Sequence, residues 1–229
     1  MYVIGHRGAA GLAVENSAEA ITAALTCGVW AVEIDLRLTQ DGEFVVSHDE
    51  VIVSSQKKYS ISRMPARELT ALHTANGTSL LTARQAIDQV MRDPTCMAML
   101  DIKGKHWAKR LRDFLATLPP AALPRLILAS FNLRELKEVQ RAYPALKYCY
   151  HYHAMPLGIN LLTARKLDAW GVGISMQGFS SLMVRASRNL NLKTVAFTVN
   201  SPRKARHLQK MGVDFIITDF PDRFAILKS

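Results

Sequence analysis

Cysteine is scarce in this chain of 229 residues: Cys27, Cys96 and Cys149 stand far apart, with no Cys-x-x-Cys spacing. That excludes a disulfide framework and a cysteine-rich zinc site, and it suits a reducing compartment. Long apolar runs are also missing, so no segment reads as membrane-spanning. The chain opens on the strand-like Met1-Tyr2-Val3-Ile4, with no basic leader, apolar signal core or small-residue cleavage site ahead of it. The expected location is cytoplasmic. Acid is sparse relative to base, 19 residues against 29, for a formal net charge of +10.

The few acids are unevenly placed. Residues 1–56 hold eight acidic and two basic residues (Arg7 and Arg37), whereas the remainder holds 27 basic and 11 acidic. The basic surplus predicts attraction for anions, an anionic lipid surface among them. No nucleic-acid module is visible, so no nucleic-acid partner is expected. The sequence does not specify an oligomeric state.

A hydrophobic content of 49 % fills a sizeable core. Apolar runs recur near Tyr2 to Gly5, Ala31 to Leu36, Met97 to Ile102, Leu126 to Ala129, Leu146 to Tyr150, Val172 to Ser175, Thr194 to Thr198 and Phe215 to Thr218. Helical patterns such as Leu133 to Tyr143 and Pro202 to Met211 lie between them. Eight alternating units favour a closed (β/α)8 TIM barrel of the α/β class over an open doubly wound sheet, built as one domain over 1–229. Phe44-Val45-Val46 reads as a short insertion after the second strand that folds back over the rim.

The chemistry-bearing residues cluster early. In Ala31-Val32-Glu33-Ile34-Asp35-Leu36 the side chains alternate, so Glu33 and Asp35 share one face. Two adjacent carboxylates repel unless something cationic sits between them. Oxygen ligands suit a hard divalent ion, Mg²⁺ or Ca²⁺. Asp101, at the end of Met97 to Ile102, supplies a third carboxylate, and Lys103 shares its face. Glu33, Asp35 and Asp101 are thus the candidate metal ligands. His6 and Arg7 end the first strand, and His48 follows Phe44 to Val46. In a barrel these positions lie at the C-terminal rim, where barrel enzymes carry their chemistry.

The order His6-Arg7-Gly8, Glu15-Asn16-Ser17, Glu33-x-Asp35, Thr39-x-Asp41-Gly42, Val45-Val46-x-His48-Asp49 and Asp101-Ile102-Lys103 resembles the glycerophosphodiester phosphodiesterase family. Phe197-Thr198-Val199-Asn200 and Ile217-Thr218-Asp219-Phe220-Pro221-Asp222 agree with it, so the likeness spans nearly the whole chain. It implies hydrolysis of a small glycerophosphodiester to glycerol 3-phosphate and an alcohol. The adjacent glycerol hydroxyl is implied as first nucleophile, giving a cyclic phosphate that water then opens.

Chemistry read from the residues agrees. A phosphodiester needs charge neutralisation, an activated nucleophile and a proton for the leaving alkoxide. His6 and His48 are the candidate acid and base, in an order the sequence leaves open. Arg7 and Lys103 are candidate phosphate contacts, and Phe197 is a candidate apolar wall. His151 and His153 follow the fifth strand and are minority candidates for substrate contact. His73, His106 and His207 lie in or beside amphipathic helices and are given no role. Asn16 is read as a helix cap near Ser17.

Departures from the resemblance bear on the substrate. Asp101 stands where many family members have Glu, Phe197 where Trp is common and Val14 where Pro often precedes the Glu-Asn pair. The segment Asp49 to Leu80 is a reduced cap, which leaves room for a bulkier lipid. A lysophospholipase D or sphingomyelinase D-like activity is therefore the alternative enzyme reading. A non-catalytic basic barrel binding anionic membranes or RNA is a further one.

Overall fold

The runs of alternating apolar residues become strands, and the polar-faced segments between them become helices. The computed structural model describes residues 1–152 and 157–228. In chain order the elements are β1 (Tyr2–Gly5), α1 (Ala18–Thr26), β2 (Ala31–Leu38), β3 (Phe44–Val46), β4 (Val51–Ser54), β5 (Lys57–Ser60), α2 (Ala66–Ala71), α3 (Ala83–Met91) and β6 (Met97–Ile102). They continue as α4 (Ala108–Ala116), β7 (Leu126–Ser130), α5 (Leu133–Ala142), β8 (Lys147–Tyr152), α6 (Leu157–Lys166), β9 (Gly171–Ser175), α7 (Ser181–Asn189), β10 (Lys193–Phe197), α8 (Pro202–Met211) and β11 (Phe215–Thr218).

Strands β1, β2, β6, β7, β8, β9, β10 and β11 pair in parallel in that order, and β11 pairs back to β1. The result is a closed eight-stranded (β/α)8 barrel, as expected from the alternation of units. Strand β3 runs antiparallel to the outer half of β2, with Leu36 opposite Val46 and Leu38 opposite Phe44. The β4–β5 hairpin and α2 complete the insertion, which packs on its own small core of Val45, Ile52, Ile61, Ala66 and Leu69.

Local chemistry sets the helix starts. Ser17 caps α1 by accepting from the Ala20 amide, and Thr82 with Gln85 forms a reciprocal capping box on α3. Ser201 caps α8, whose first residue is Pro202.

The barrel interior has two contrasting ends. Ile4, Ala31, Met99, Ile127, Ala129, Cys149, Val195 and Ile217 fill its middle and lower layers. Below them Trp30 stacks on Trp170 with ring centroids 6.0 Å apart, and Phe215 sits 4.5 Å from Trp30 and 5.0 Å from Trp170. Tyr2 stacks on Phe215 at 5.3 Å, so aromatic rings close the floor. The other end is charged.

Candidate active site

The first strand delivers two side chains by means of a sharp turn. Arg7 has φ of 49° and Gly8 φ of 86°, which reverses the chain directly after β1. A Cβ on Gly8 would lie 2.5 Å from the Ala20 backbone, so only glycine lets the turn pack on α1. The turn aims the Arg7 amide at Glu33, whose Oε2 accepts at 2.8 Å.

Strand register brings the acids together. Asp35 pairs across the sheet with Asp101, and Glu33 lies two residues below Asp35 on the same face. One carboxylate oxygen from each of Glu33, Asp35 and Asp101 falls within 4.8 Å of the others, and all three residues are buried. Lys103 Nζ bridges two of them, 2.6 Å from Asp101 Oδ2 and 2.9 Å from Asp35 Oδ1. Arg7 reaches Asp35 at 3.2 Å and Glu15 at 2.7 Å.

The charges are not balanced by these pairs. Burial, with Asp35 beside it, pushes the Glu33 carboxyl up to about 8. Burial also works against the Asp101 carboxylate, but His151 and Lys103 outweigh it and hold that carboxyl well below the usual range. Lys103 is itself buried, yet Asp101, Asp35 and Glu33 together raise its ammonium above the ordinary value. Asp101 Oδ1 is buried and makes no hydrogen bond. A buried acid that is hard to ionise next to an orphaned carboxylate oxygen is a donor set that fits a hard divalent cation. The chemistry of the three carboxylates therefore agrees with the metal site expected from the sequence.

His6 hydrogen-bonds through Nδ1 to Asp219 Oδ1 at 2.5 Å. Asp219 is held in turn by Asn200, whose Nδ2 donates at 2.5 Å and whose Oδ1 accepts from the Asp219 amide at 3.0 Å. Burial lowers the His6 imidazole, but the Asp219 hydrogen bond and the Glu33 charge more than offset it and raise it above its ordinary value. The hydrogen bond to His6 holds Asp219 below the usual carboxylate range. His48 is half-exposed, with Nδ1 2.8 Å from Asp49 Oδ1.

A cavity of ≈ 200 Å³ collects His6, Arg7, Glu33, Asp35, His48, Asp101, Lys103 and Phe197. All eight residues singled out from the sequence thus share one space. Phe131, His151, Thr198 and Ile217 line it as well. His153 lies outside the described residues. His73 and His106 are exposed and do not line this cavity, and His207 lines a separate groove on α8.

Sequence reasoning misplaces one residue, Asn16, and gives another, Asp219, no role. Ser17, rather than Asn16, caps α1. Asn16 is buried, donates to Asp35 Oδ2 at 3.0 Å and accepts from the Asp35 amide at 3.2 Å, so it fixes a candidate metal ligand. In the sequence Asp219 stands out only as part of the Ile217–Asp222 motif. Its position at the end of the last strand, where barrels place chemistry, was the signal available.

Residues 6–223 match the model of the glycerophosphoryl diester phosphodiesterase family. A glycerophosphodiester phosphodiesterase of Caldanaerobacter subterraneus is 23 % identical over 246 residues, covering 96 % of this chain and 94 % of that protein. An Oleispira antarctica phosphodiesterase, solved in complex with the product sn-glycerol-3-phosphate, is 26 % identical with a TM-score of 0.89, covering 100 % of this chain and 97 % of the other. A Thermotoga maritima glycerophosphodiester phosphodiesterase superposes with a TM-score of 0.83 at 25 % identity, covering 100 % and 98 %.

Proposed function

The chain belongs to the glycerophosphoryl diester phosphodiesterase family, and from that premise we propose that it hydrolyses small water-soluble glycerophosphodiesters to glycerol 3-phosphate and an alcohol in a divalent-cation-dependent reaction. The observation that carries the reading is the cluster of three buried carboxylates in the same cavity as His6, Arg7 and Lys103.

Charge supports the cation requirement. Three acids against the two permanent cations Arg7 and Lys103 leave the cavity no surplus positive charge for an anionic phosphodiester. Glu33, Asp35 and Asp101 would hold Mg²⁺ or Ca²⁺, which supplies that charge and polarises phosphoryl oxygens. Arg7 and Lys103 orient the phosphate from its flanks. Phe197 offers the apolar wall against the glycerol.

The two histidines differ in setting, and the difference supports an order for their roles. His6, backed by Asp219, takes the proton of the attacking glycerol hydroxyl, because the carboxylate stabilises the imidazolium that forms. His48 lines both the site cavity and a second groove of ≈ 270 Å³ formed with Ser47, Thr74, Asn76 and Thr78. It donates the proton to the departing alcohol, whose head group occupies that groove. The groove contains no Lys or Arg; hydroxyl and amide groups, with the carboxylates of Glu15 and Asp49, line it beside apolar residues such as Val51 and Val53. Such a lining suits choline, ethanolamine or glycerol better than an acyl chain. Three cysteines too scattered for a disulfide framework support a cytoplasmic location, and among the described residues no helix is long and apolar enough to cross a membrane.

A lipid substrate is the second reading. It is favoured by an apolar groove of ≈ 620 Å³ lined by Met176, Phe179, Leu208 and Met211 and edged by Arg203, Lys204 and His207. Phosphorus NMR of glycerophosphocholine and of lysophosphatidylcholine with the protein and Mg²⁺ separates the two. The proposal expects a transient cyclic phosphate followed by glycerol 3-phosphate from the first substrate. Turnover of the lipid alone would replace it with the second reading.

A further inference from the structure

One buried polar side chain still unexplained is His151. It is 2 % exposed and points into the barrel from β8, and neither ring nitrogen makes a hydrogen bond. Orphaned buried nitrogens cost free energy and call for a reason.

What His151 does face is Asp101. Its Nδ1 lies 3.4 Å from Asp101 Oδ2, the same oxygen that Lys103 holds at 2.6 Å. Asp101 Oδ1 makes no hydrogen bond. Two nitrogens thus converge on one oxygen of the carboxylate and leave the other bare. The imidazole is also held firmly in this orientation. Phe131 packs edge-on at 5.4 Å and Phe197 at 5.0 Å. Gly173 on the neighbouring strand makes the room, since a Cβ there would stand 2.3 Å from His151 Cδ2 and 2.7 Å from Nε2.

We propose that His151 is the positioning residue of Asp101: with Lys103 it claims Oδ2, so that the short side chain presents Oδ1 to the divalent cation. The inference rests on the reading of Glu33, Asp35 and Asp101 as metal ligands. It makes Gly173 part of the same device, because the glycine lets the imidazole stand where it does. Outer groups that orient metal ligands commonly change metal affinity by about 10–100-fold when mutated.

The test is Mn²⁺ binding to metal-free protein, followed by calorimetry and by loss of the free-ion paramagnetic resonance signal. The wild type is compared with His151→Phe, His151→Asn and Gly173→Ala. His151→Phe keeps the ring volume but loses the nitrogen, and is expected to bind Mn²⁺ about 10–100-fold more weakly. Gly173→Ala is expected to weaken binding in the same direction by displacing the imidazole. His151→Asn, whose amide nitrogen stands near the place of Nδ1, is expected to recover most of the affinity. Unchanged Mn²⁺ affinity in a folded His151→Phe would overturn the inference, as would failure of His151→Asn to exceed it. Absence of Mn²⁺ binding by the wild type would overturn the metal reading itself, and with it this inference.

Discussion

The same strands end in opposite chemistry at the two mouths of the barrel. At the floor, Trp30, Trp170, Phe215 and Tyr2 stack on one another and carry no charge. At the rim, a few residues further along β2, Glu33 and Asp35 are buried beside Asp101 and Lys103. The floor gains stability directly, from apolar area and ring packing. The rim does the reverse: an acid kept neutral to about 8 and an unpartnered carboxylate oxygen are arrangements that folding alone does not favour. One end of the barrel is built for the fold and the other for a ligand.

That contrast is broken most visibly by variants that separate activity from stability. His6→Ala is expected to lower kcat by about 10²–10⁴-fold with the melting midpoint little changed, measured by glycerol 3-phosphate release and thermal unfolding. Trp30→Ala should do the opposite. It is expected to lose about 3 kcal/mol in denaturant titration while kcat below its midpoint stays within about twofold of wild type. Loss of activity at constant stability in Trp30→Ala would mean that the floor is no mere plug.

Asp219→Asn sharpens the picture of the rim. It keeps the shape but removes the charge that raises His6, so the limb of the pH–rate profile set by His6 should move to lower pH, with kcat reduced about 10–100-fold. An unmoved limb would detach Asp219 from the chemistry. The smallest effect concerns the basic surface. Raising salt from about 50 to 200 mM is expected to lower kcat/KM by less than tenfold, through screening of anion attraction, and to leave kcat alone.

The barrel was legible in the sequence because strand and helix periods are local. Ala31 to Leu36 and Met97 to Ile102 announce themselves within six residues each, and the observed β2 differs only in extending to Leu38. The acids were legible for the same reason, since alternation alone puts Glu33 and Asp35 on one face. Partners made by closure of the barrel were not. His6 and Asp219 are 213 residues apart, and only the pairing of β11 with β1 makes them neighbours. Likewise, the burial of His151 depends on the space left by Gly173 and on rings from β10 and the end of β7. Asn16 was misread because Asn and Ser are both good caps, and the choice between them turns on a φ of 58° that local pattern does not reveal.

The central claim is that the rim's charges are arranged for a divalent cation, and Glu33 tests it most directly. In the metal-free folded protein its carboxyl holds a proton to about pH 8, against an ordinary value of 4.5. The folded state therefore binds more protons than the unfolded one across that window, and stability falls as pH rises through it. His6, raised above 6.5, adds to the same slope, because its contribution is lost as pH passes its folded value. The decisive measurement is thermal unfolding of wild type and Glu33→Gln between about pH 5 and 8, with and without saturating Mg²⁺ or Ca²⁺. The account predicts that the cation raises the wild-type midpoint increasingly toward pH 8. It also predicts that metal-free Glu33→Gln is more stable than wild type at pH 8 and gains little from the ion. A wild-type midpoint indifferent to both cations at every pH, or a Glu33→Gln protein less stable than metal-free wild type, would contradict it.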